Sequence, residues 1–282
     1  MDPSQSADLH THTTASDGTE APQTVVSLAA EAGLAAIAIT DHDTVAGFLE
    51  LANDGSCPVR LIPAIEMSAN VGAAEVHILG YFINPTSGYL SEQLARLQQQ
   101  RLQRIERFCD RLTSIGLPLT VNNVLKFATG SSVGRPHIAR AMINRGYVNS
   151  VGEAFDLYLA GGRPGFVPRD EMPPELAIEI IHRSGGVSSL AHPFTTGDVD
   201  GTVQRLLPMG LDAIEVEYGA YAEPERDQLR ALARSAGLLA TGGSDFHGRE
   251  HRADVPLGSG SVPLATVAQL EARSDQYRLT RF

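Results

Sequence analysis

Short apolar, β-prone runs recur along this chain, and each ends in a polar cluster: residues 7–12, 34–43, 59–68, 75–82, 186–192, 211–218 and 238–247. Between several of them the apolar spacing turns helical, as in Val25, Val26, Leu28 and Ala29 over 22–32, in Leu176, Ile178, Ile180 and Ile181 over 175–184, and again over 223–236. Alternating strand and helix predicts parallel strands joined by crossover helices. Polar clusters at the strands' C-terminal ends predict an α/β fold, a closed seven-stranded (β/α) barrel with its active site on that face.

Residues 91–167 break this rhythm. Leu94, Leu97, Arg101, Ile105, Phe108 and Leu112 form a helical stripe after a Ser91 cap, ending at Gly116-Leu117-Pro118. A second helix is expected from Arg135-Pro136, where proline suits the first turn, and a third over 151–159. The expected division is a barrel of 1–90 and 168–282 with a helical insertion, 91–167, over its mouth.

A chain of 282 residues with 43% hydrophobic content can bury one large core. A formal charge of -11 argues against a broad track for long nucleic acid while leaving anionic small substrates open. No apolar stretch is long enough to span a membrane, and the N-terminus lacks the pattern of a signal peptide, so no membrane partner and a cytoplasmic location are expected. Cys57 and Cys109 read as ordinary reduced thiols.

His10-x-His12 carries the first chemical signal, because side chains two apart on a strand share a face and can grip one metal ion. Glu66 and Asp245 are the carboxylates to complete that site, with Glu66 able to bridge two ions; His77 and His192 are available for a second ion, and Asp17, His42 and His247 for a third. Such a set reads as a metal-dependent hydrolase. Asp17, before Gly18, is alternatively a turn former. Asp41 and Asp43 either orient His42 or cap the next helix, with Asp41 taken as the supporting residue behind that ring. Glu215 and Glu217 alternate with Ile214 and Val216, so both are expected to face the barrel interior as supporting groups. His182 and His251 are expected outside the site. Gly161-Gly162 and Gly242-Gly243 lack the Lys-Ser/Thr of a phosphate loop.

Together, His10-x-His12, Thr40-Asp41-His42-Asp43, Glu66, His77, His192-Pro193 and Asp245-x-His247 resemble the PHP family of polymerase and histidinol phosphatase domains. The resemblance implies a distorted seven-stranded barrel and three divalent ions, Mn, Fe or Zn. The first would be held by His10, His12, Glu66 and Asp245, the second by Glu66, His77 and His192, and the third by Asp17, His42 and His247. Asp17 stands where some members have histidine, an oxygen ligand that favours Mn or Fe over Zn there. Glu66, His192 and Asp245 are the expected catalytic ligands, and a hydroxide shared by two ions the expected nucleophile. The stretch from Gly134 to Arg140 is similar to small-nucleotide phosphatases of the family. This implies that Arg135 and His137 bind substrate phosphate, unless Arg135 only packs or pairs on the surface.

The expected activity is hydrolysis of phosphate monoesters of small nucleotides, 5'-monophosphates such as AMP or 3',5'-bisphosphates. The alternatives are 5'-to-3' trimming of short RNA, histidinol-phosphate hydrolysis, an amidohydrolase, or a scaffold without activity. Lys126 is the only lysine and falls in the insertion, so a carbamylated-lysine bridge of the amidohydrolase kind is not expected.

Overall fold

A computed structural model describes residues 5–55, 57–71, 74–128, 130, 132–249 and 254–279; His251 lies outside the described residues. The chain opens with β1 (Ser6–Thr11), α1 (Pro22–Glu31), β2 (Ala36–Ile39), α2 (Ala46–Asp54), β3 (Arg60–Val71) and β4 (Ala74–Tyr81). Helices α3 (Gly88–Ser114), α4 (Val121–Leu125), α5 (Arg135–Asn144) and α6 (Val151–Ala154) follow, the last running into a π-helical turn at Phe155–Leu159. The alternating pattern resumes with α7 (Pro174–Arg183), β5 (Val187–Leu190), α8 (Val199–Leu206), β6 (Ala213–Tyr218), α9 (Glu223–Ala236) and β7 (Leu239–Gly243). A two-residue β8 (Val262–Pro263) and α10 (Leu264–Leu279) end the described chain.

The strands form one sheet in the order β7-β6-β5-β4-β3-β2-β1-β8. It nearly closes into a barrel, because the His12 N–H donates to Phe246 O and the Asp245 N–H to His10 O, each at 2.8 Å, stitching β1 to the chain leaving β7. Two expectations need correction. Among the described residues the sheet has eight strands rather than seven: β8 pairs antiparallel with β1 at Ser6 and Ala7, over too few residues for any periodicity to register. Strand β4 is antiparallel to both β3 and β5; only two residues of sequence separate β3 from β4, far too few for the crossover a parallel pair would need.

Local chemistry explains most element boundaries. Proline occupies the first turn of α1, α5, α7 and α9, where its missing N–H costs nothing, and α9 ends on Gly237 at φ 68°. Helix α3 starts one turn earlier than expected, with Ser87 rather than Ser91 accepting a hydrogen bond from the Leu90 N–H. On β2, Ile37 and Ile39 pack outward on Val25, Val26 and Ala29 of α1, while Ala36 and Ala38 join the cluster that includes Val267 and Leu270 of α10. That is the period-two alternation of a strand covered on both faces.

Helix α3 is shared between two cores. Its Leu90, Leu94 and Leu97 pack with Ile65 and Met67 of the barrel, while Ile105, Phe108 and Leu112 pack with Ile138, Met142 and Leu159. Among the described residues, no helix is long and apolar enough to cross a membrane.

Candidate metal centre

His10 on β1 and His12, one residue past its end, keep the strand's alternation and face one side, both fully buried. The His10 Nε2 lies 3.3 Å from Glu66 Oε2 and 3.3 Å from Asp245 Oδ1; the corresponding distances from His12 Nε2 are 3.1 and 3.2 Å. Ligands at about 2.0–2.1 Å from a tetrahedral ion stand about 3.3–3.4 Å apart, so the four donors surround a hole of divalent-ion size. Their approach is not hydrogen bonding. His10 Nε2, His12 Nε2 and Glu66 Oε2 are buried without a hydrogen-bond partner, because their lone pairs aim at a common point rather than at one another. Buried and unsatisfied donors of this kind fit a cation.

The pair β3–β4 and the chain just past β2 and β5 supply the adjoining donors. Glu66 Oε1 is 2.9 Å from His77 Nδ1, diagonally across the pair, and 3.1 Å from His192 Nε2. Its Oε2 lies 3.1 Å from His42 Nδ1, which a parallel bridge between His42 and Glu66 sets alongside. Glu66 therefore presents each oxygen to a different set of rings. Asp17 gathers the rest, with Oδ1 3.4 Å from His247 Nε2 and Oδ2 3.8 Å from His42 Nε2. All nine expected side chains meet in one cluster. The convergent sets are His10, His12 and Glu66; His42, Glu66 and His77; and Asp17, His42 and His247 with His12, whose Nδ1 is also buried and unpartnered. His42 thus faces two sets. Asp43, His192 and Asp245 adopt φ of 50°, 27° and 52°, a strained region for side chains other than glycine, and all three lie at this cluster.

The field in the cluster calls for positive charge. Burial alone would drive protons off His10 and His12. The carboxylates around them reverse this, pushing His10 well up and His12 to about 10. Burial opposes ionisation of Glu66, Asp17 and Asp245 too, yet the surrounding imidazoles hold all three well below the usual carboxylate range. A bound divalent ion would take the place of those protons.

Behind the cluster, Glu215 is fully buried, with Oε1 2.9 Å from His10 Nδ1 and Oε2 accepting the His192 N–H at 2.7 Å. It turns the Nε2 of His10 toward the hole. Glu217 does not join it: the β6–β7 register shifts between Glu215 and Glu217, and the Glu217 carboxylate instead pairs with Arg230 of α9 at 2.7 Å. Asp41 corrects a second expectation. Its hydrogen bonds go to Thr13 and Ser16, at 2.8, 2.7 and 2.6 Å, so it shapes the loop that carries Asp17 instead of backing His42. Residues not singled out from the sequence also take part: Tyr218 donates to Asp245 Oδ2 at 2.7 Å, and Ser68 Oγ lies 3.4 Å from His42 Nδ1.

A cavity adjoins the cluster, bordered by Asp17, His42, His77 and four arginines, Arg101, Arg104, Arg135 and Arg169. In the sequence Arg101 is one position of the helical stripe from Leu94 to Leu112. It is buried at this cavity because Asp43 accepts its Nε at 2.7 Å and Ser68 Oγ accepts its Nη2 at 2.8 Å. Arg135 pairs with Glu75 at 2.6 Å and covers the Phe155 ring. His137 does not border this cavity. It is buried in the first turn of α5, its Nδ1 accepting the Gly134 N–H at 3.0 Å, and burial drives its pKa down to about 4. His182 lies apart from the cluster, bound to Asp212 at 2.8 Å, and Lys126 is exposed at the end of α4.

A nearly closed α/β barrel with imidazole and carboxylate clusters at one end defines a metal-dependent phosphoesterase when set beside the known proteins it resembles. A profile of the PHP domain matches residues 8–207, and the chain belongs to the PHP family. It is 38% identical over 248 residues to the 5'-3' exoribonuclease Rnm of Escherichia coli, covering 85% of this chain and 84% of that one. To the 3',5'-nucleoside bisphosphate phosphatase of Chromobacterium violaceum it is 31% identical, covering 88% and 92%. Among solved structures, a candidate metal-dependent phosphoesterase of Bifidobacterium adolescentis superposes with a TM-score of 0.85 at 31% identity, covering 97% of this chain and 98% of that one.

Proposed function

We propose that this protein hydrolyses phosphate monoesters of small nucleotides, with 3',5'-nucleoside bisphosphates preferred over 5'-monophosphates such as AMP. The arginine wall carries this reading. Four guanidiniums border the cavity; Asp43 pairs with Arg101 and Arg169 and Glu75 with Arg135, while Asp17, the other carboxylate on the border, is turned to the metal cluster. Burial and neighbouring guanidiniums push Arg104 down to about 9 and Arg169 to about 10, and the buried Arg169 Nε has no hydrogen-bond partner. A second phosphate supplies the missing anion. AMP would spend its only phosphate at the metals and leave the wall unanswered, and the ammonium of histidinol phosphate would meet like charge.

Three divalent ions, Mn, Fe or Zn, would be held as the resemblance implies: by His10, His12, Glu66 and Asp245; by Glu66, His77 and His192; and by Asp17, His42 and His247. When bound they supply Lewis acidity to the phosphoryl oxygens and acidify a water molecule. Glu66, His192 and Asp245 would be the catalytic ligands. Tyr218 and Glu215 fix the aim of Asp245 and His10. Arg101, Arg104 and Arg135 come from residues 91–167, which gives that insertion the role of gripping substrate. His137 would act indirectly, by setting the start of α5 and with it Arg135.

Short RNA is the second reading, favoured by the continuation of the cavity past Arg135 into a more open chamber. The metal-reconstituted protein should be given AMP, adenosine 3',5'-bisphosphate and a 5'-phosphorylated trinucleotide at equal concentration. Fastest release from the bisphosphate is expected. Faster cleavage of the trinucleotide would favour the RNA reading, and no hydrolysis of any of them would reject both.

A further inference from the structure

The open chamber beyond Arg135 has a volume of about 360 Å³ and is bordered by His77, His192, Glu75, Arg135, Thr195 and Phe166. Phe166 is the aromatic residue of this wall. It is half-buried, yet it belongs to none of the apolar clusters among the described residues. The ring is therefore not part of any of those apolar cores.

Its backbone is held on both sides. The Phe166 N–H donates to Arg163 O at 3.0 Å, the Gly165 N–H to Tyr158 O at 3.1 Å, and Arg111 Nε to Pro164 O at 2.6 Å. Arg104 donates to Val167 O through Nε at 3.1 Å and Nη2 at 2.8 Å, so a residue of the arginine wall also fixes the chain next to Phe166. A Cβ at Gly165 would stand 2.9 Å from Leu112 Cδ2 and 3.0 Å from Tyr158 O, so glycine lets this turn lie close against α3. A ring with two side-chain torsions on a pinned backbone loses little entropy on contact.

We infer that Phe166 is a specificity-determining residue, the stacking platform for the nucleobase of the substrate. The inference rests on the nucleotide reading above and extends it. The two cavities share Glu75, His77 and Arg135. A substrate with one phosphate at the metals and another on the arginine wall would then direct its base into the Phe166 chamber. Every base has a π face, so stacking selects nucleotides over simple phosphate esters with little discrimination among bases.

The test measures kcat and KM for wild type, Phe166→Ala, Phe166→Leu and Phe166→Trp. Substrates are adenosine and uridine 3',5'-bisphosphates and the abasic 1,2-dideoxyribose 3,5-bisphosphate. Phe166→Ala and Phe166→Leu should raise the nucleotide KM by roughly 5- to 150-fold, the range that a stacking contact gives, with kcat preserved. The abasic KM should not move, and Phe166→Trp should restore nucleotide binding. Equal effects on nucleotide and abasic substrates, or no effect on either, would overturn the inference while leaving the phosphatase reading intact. Wild type inert on all substrates would defeat the phosphatase reading instead. Calorimetric binding of adenosine 3',5'-bisphosphate to wild type and Phe166→Ala still decides the stacking in that event, equal affinities counting against it.

Discussion

Glu215→Gln changes one buried charge and almost no volume. Glu215 meets His10 Nδ1 at 2.9 Å with one oxygen and accepts the His192 N–H at 2.7 Å with the other. An amide has one acceptor oxygen, so it keeps one of these bonds and turns its NH2 group toward the other donor. That mismatch costs about 1–3 kcal/mol, and His10 also loses the negative charge that makes its Nε2 a stronger donor to a metal. Losing a supporting partner of this kind weakens metal affinity about 10- to 100-fold, or roughly 1.4–2.7 kcal/mol, the same size as the lost bond. Loading should be followed by competition with a chelating indicator, and phosphate release measured across a metal titration. The half-saturating metal concentration should rise about 10- to 100-fold, with the rate at saturating metal returning near wild type because Glu215 does not border the substrate cavity. An unchanged midpoint, or a folded variant whose rate stays low at saturating metal, would refute a role that acts through His10.

Arg169→Ala should raise KM for a 3',5'-bisphosphate about 10- to 100-fold, the size of a lost charge-assisted hydrogen bond, while KM for AMP moves little; equal shifts in steady-state assays would count against the arginine wall as a second phosphate site. Chelation should lower the melting temperature and re-addition of Mn, Fe or Zn should restore it, because ions that bind only the folded cluster stabilise it; calorimetry showing no shift would contradict the cluster. Asp212 predicts a pH dependence. Burial raises its pKa, but hydrogen bonds from His182, Tyr277 and the Ser188 N–H more than offset this and hold it below the ordinary 3.8. A carboxyl depressed by folding stabilises fully above its unfolded pKa, and that stability is lost as pH falls through the folded value. In chelated protein, Asp212→Asn should therefore cost about 1–3 kcal/mol at pH 7 and progressively less below about pH 4, measured by urea unfolding. A gap that stays constant down to strongly acid pH would exclude the linkage.

The His10 and His12 pair was visible in the sequence because its signal is local, and the other seven donors were legible as histidines and carboxylates recurring along the apolar runs and through the resemblance to the PHP family. Two residues apart on a strand means one face, which is all that His10-x-His12 requires. Similar short-range rules located most helices: the apolar spacing of α1, proline in the first turn of α5, and the apolar stripe along α3. Alternation failed at Glu217, where a register shift between β6 and β7 turns the side chain toward Arg230. Asp41 sat beside His42 in sequence, yet its carboxylate found the donors of Thr13 and Ser16 across the strand ends. Arg101 read as one position on a helix, and its importance comes from Asp43 and Ser68, which meet it only in the folded chain.

By itself, then, the sequence determined the alternating elements, the helical segment interrupting them and the residues able to hold metal, since periodicity and residue chemistry act over a few positions. Only the tertiary structure decided the reversed direction of β4, the added β8, the gathering of the arginines into one wall and the placing of Phe166 at its outer chamber. Those depend on strand register and on which distant segments pack together. Such choices are set by the free energy of the whole fold, to which no short stretch of sequence gives access.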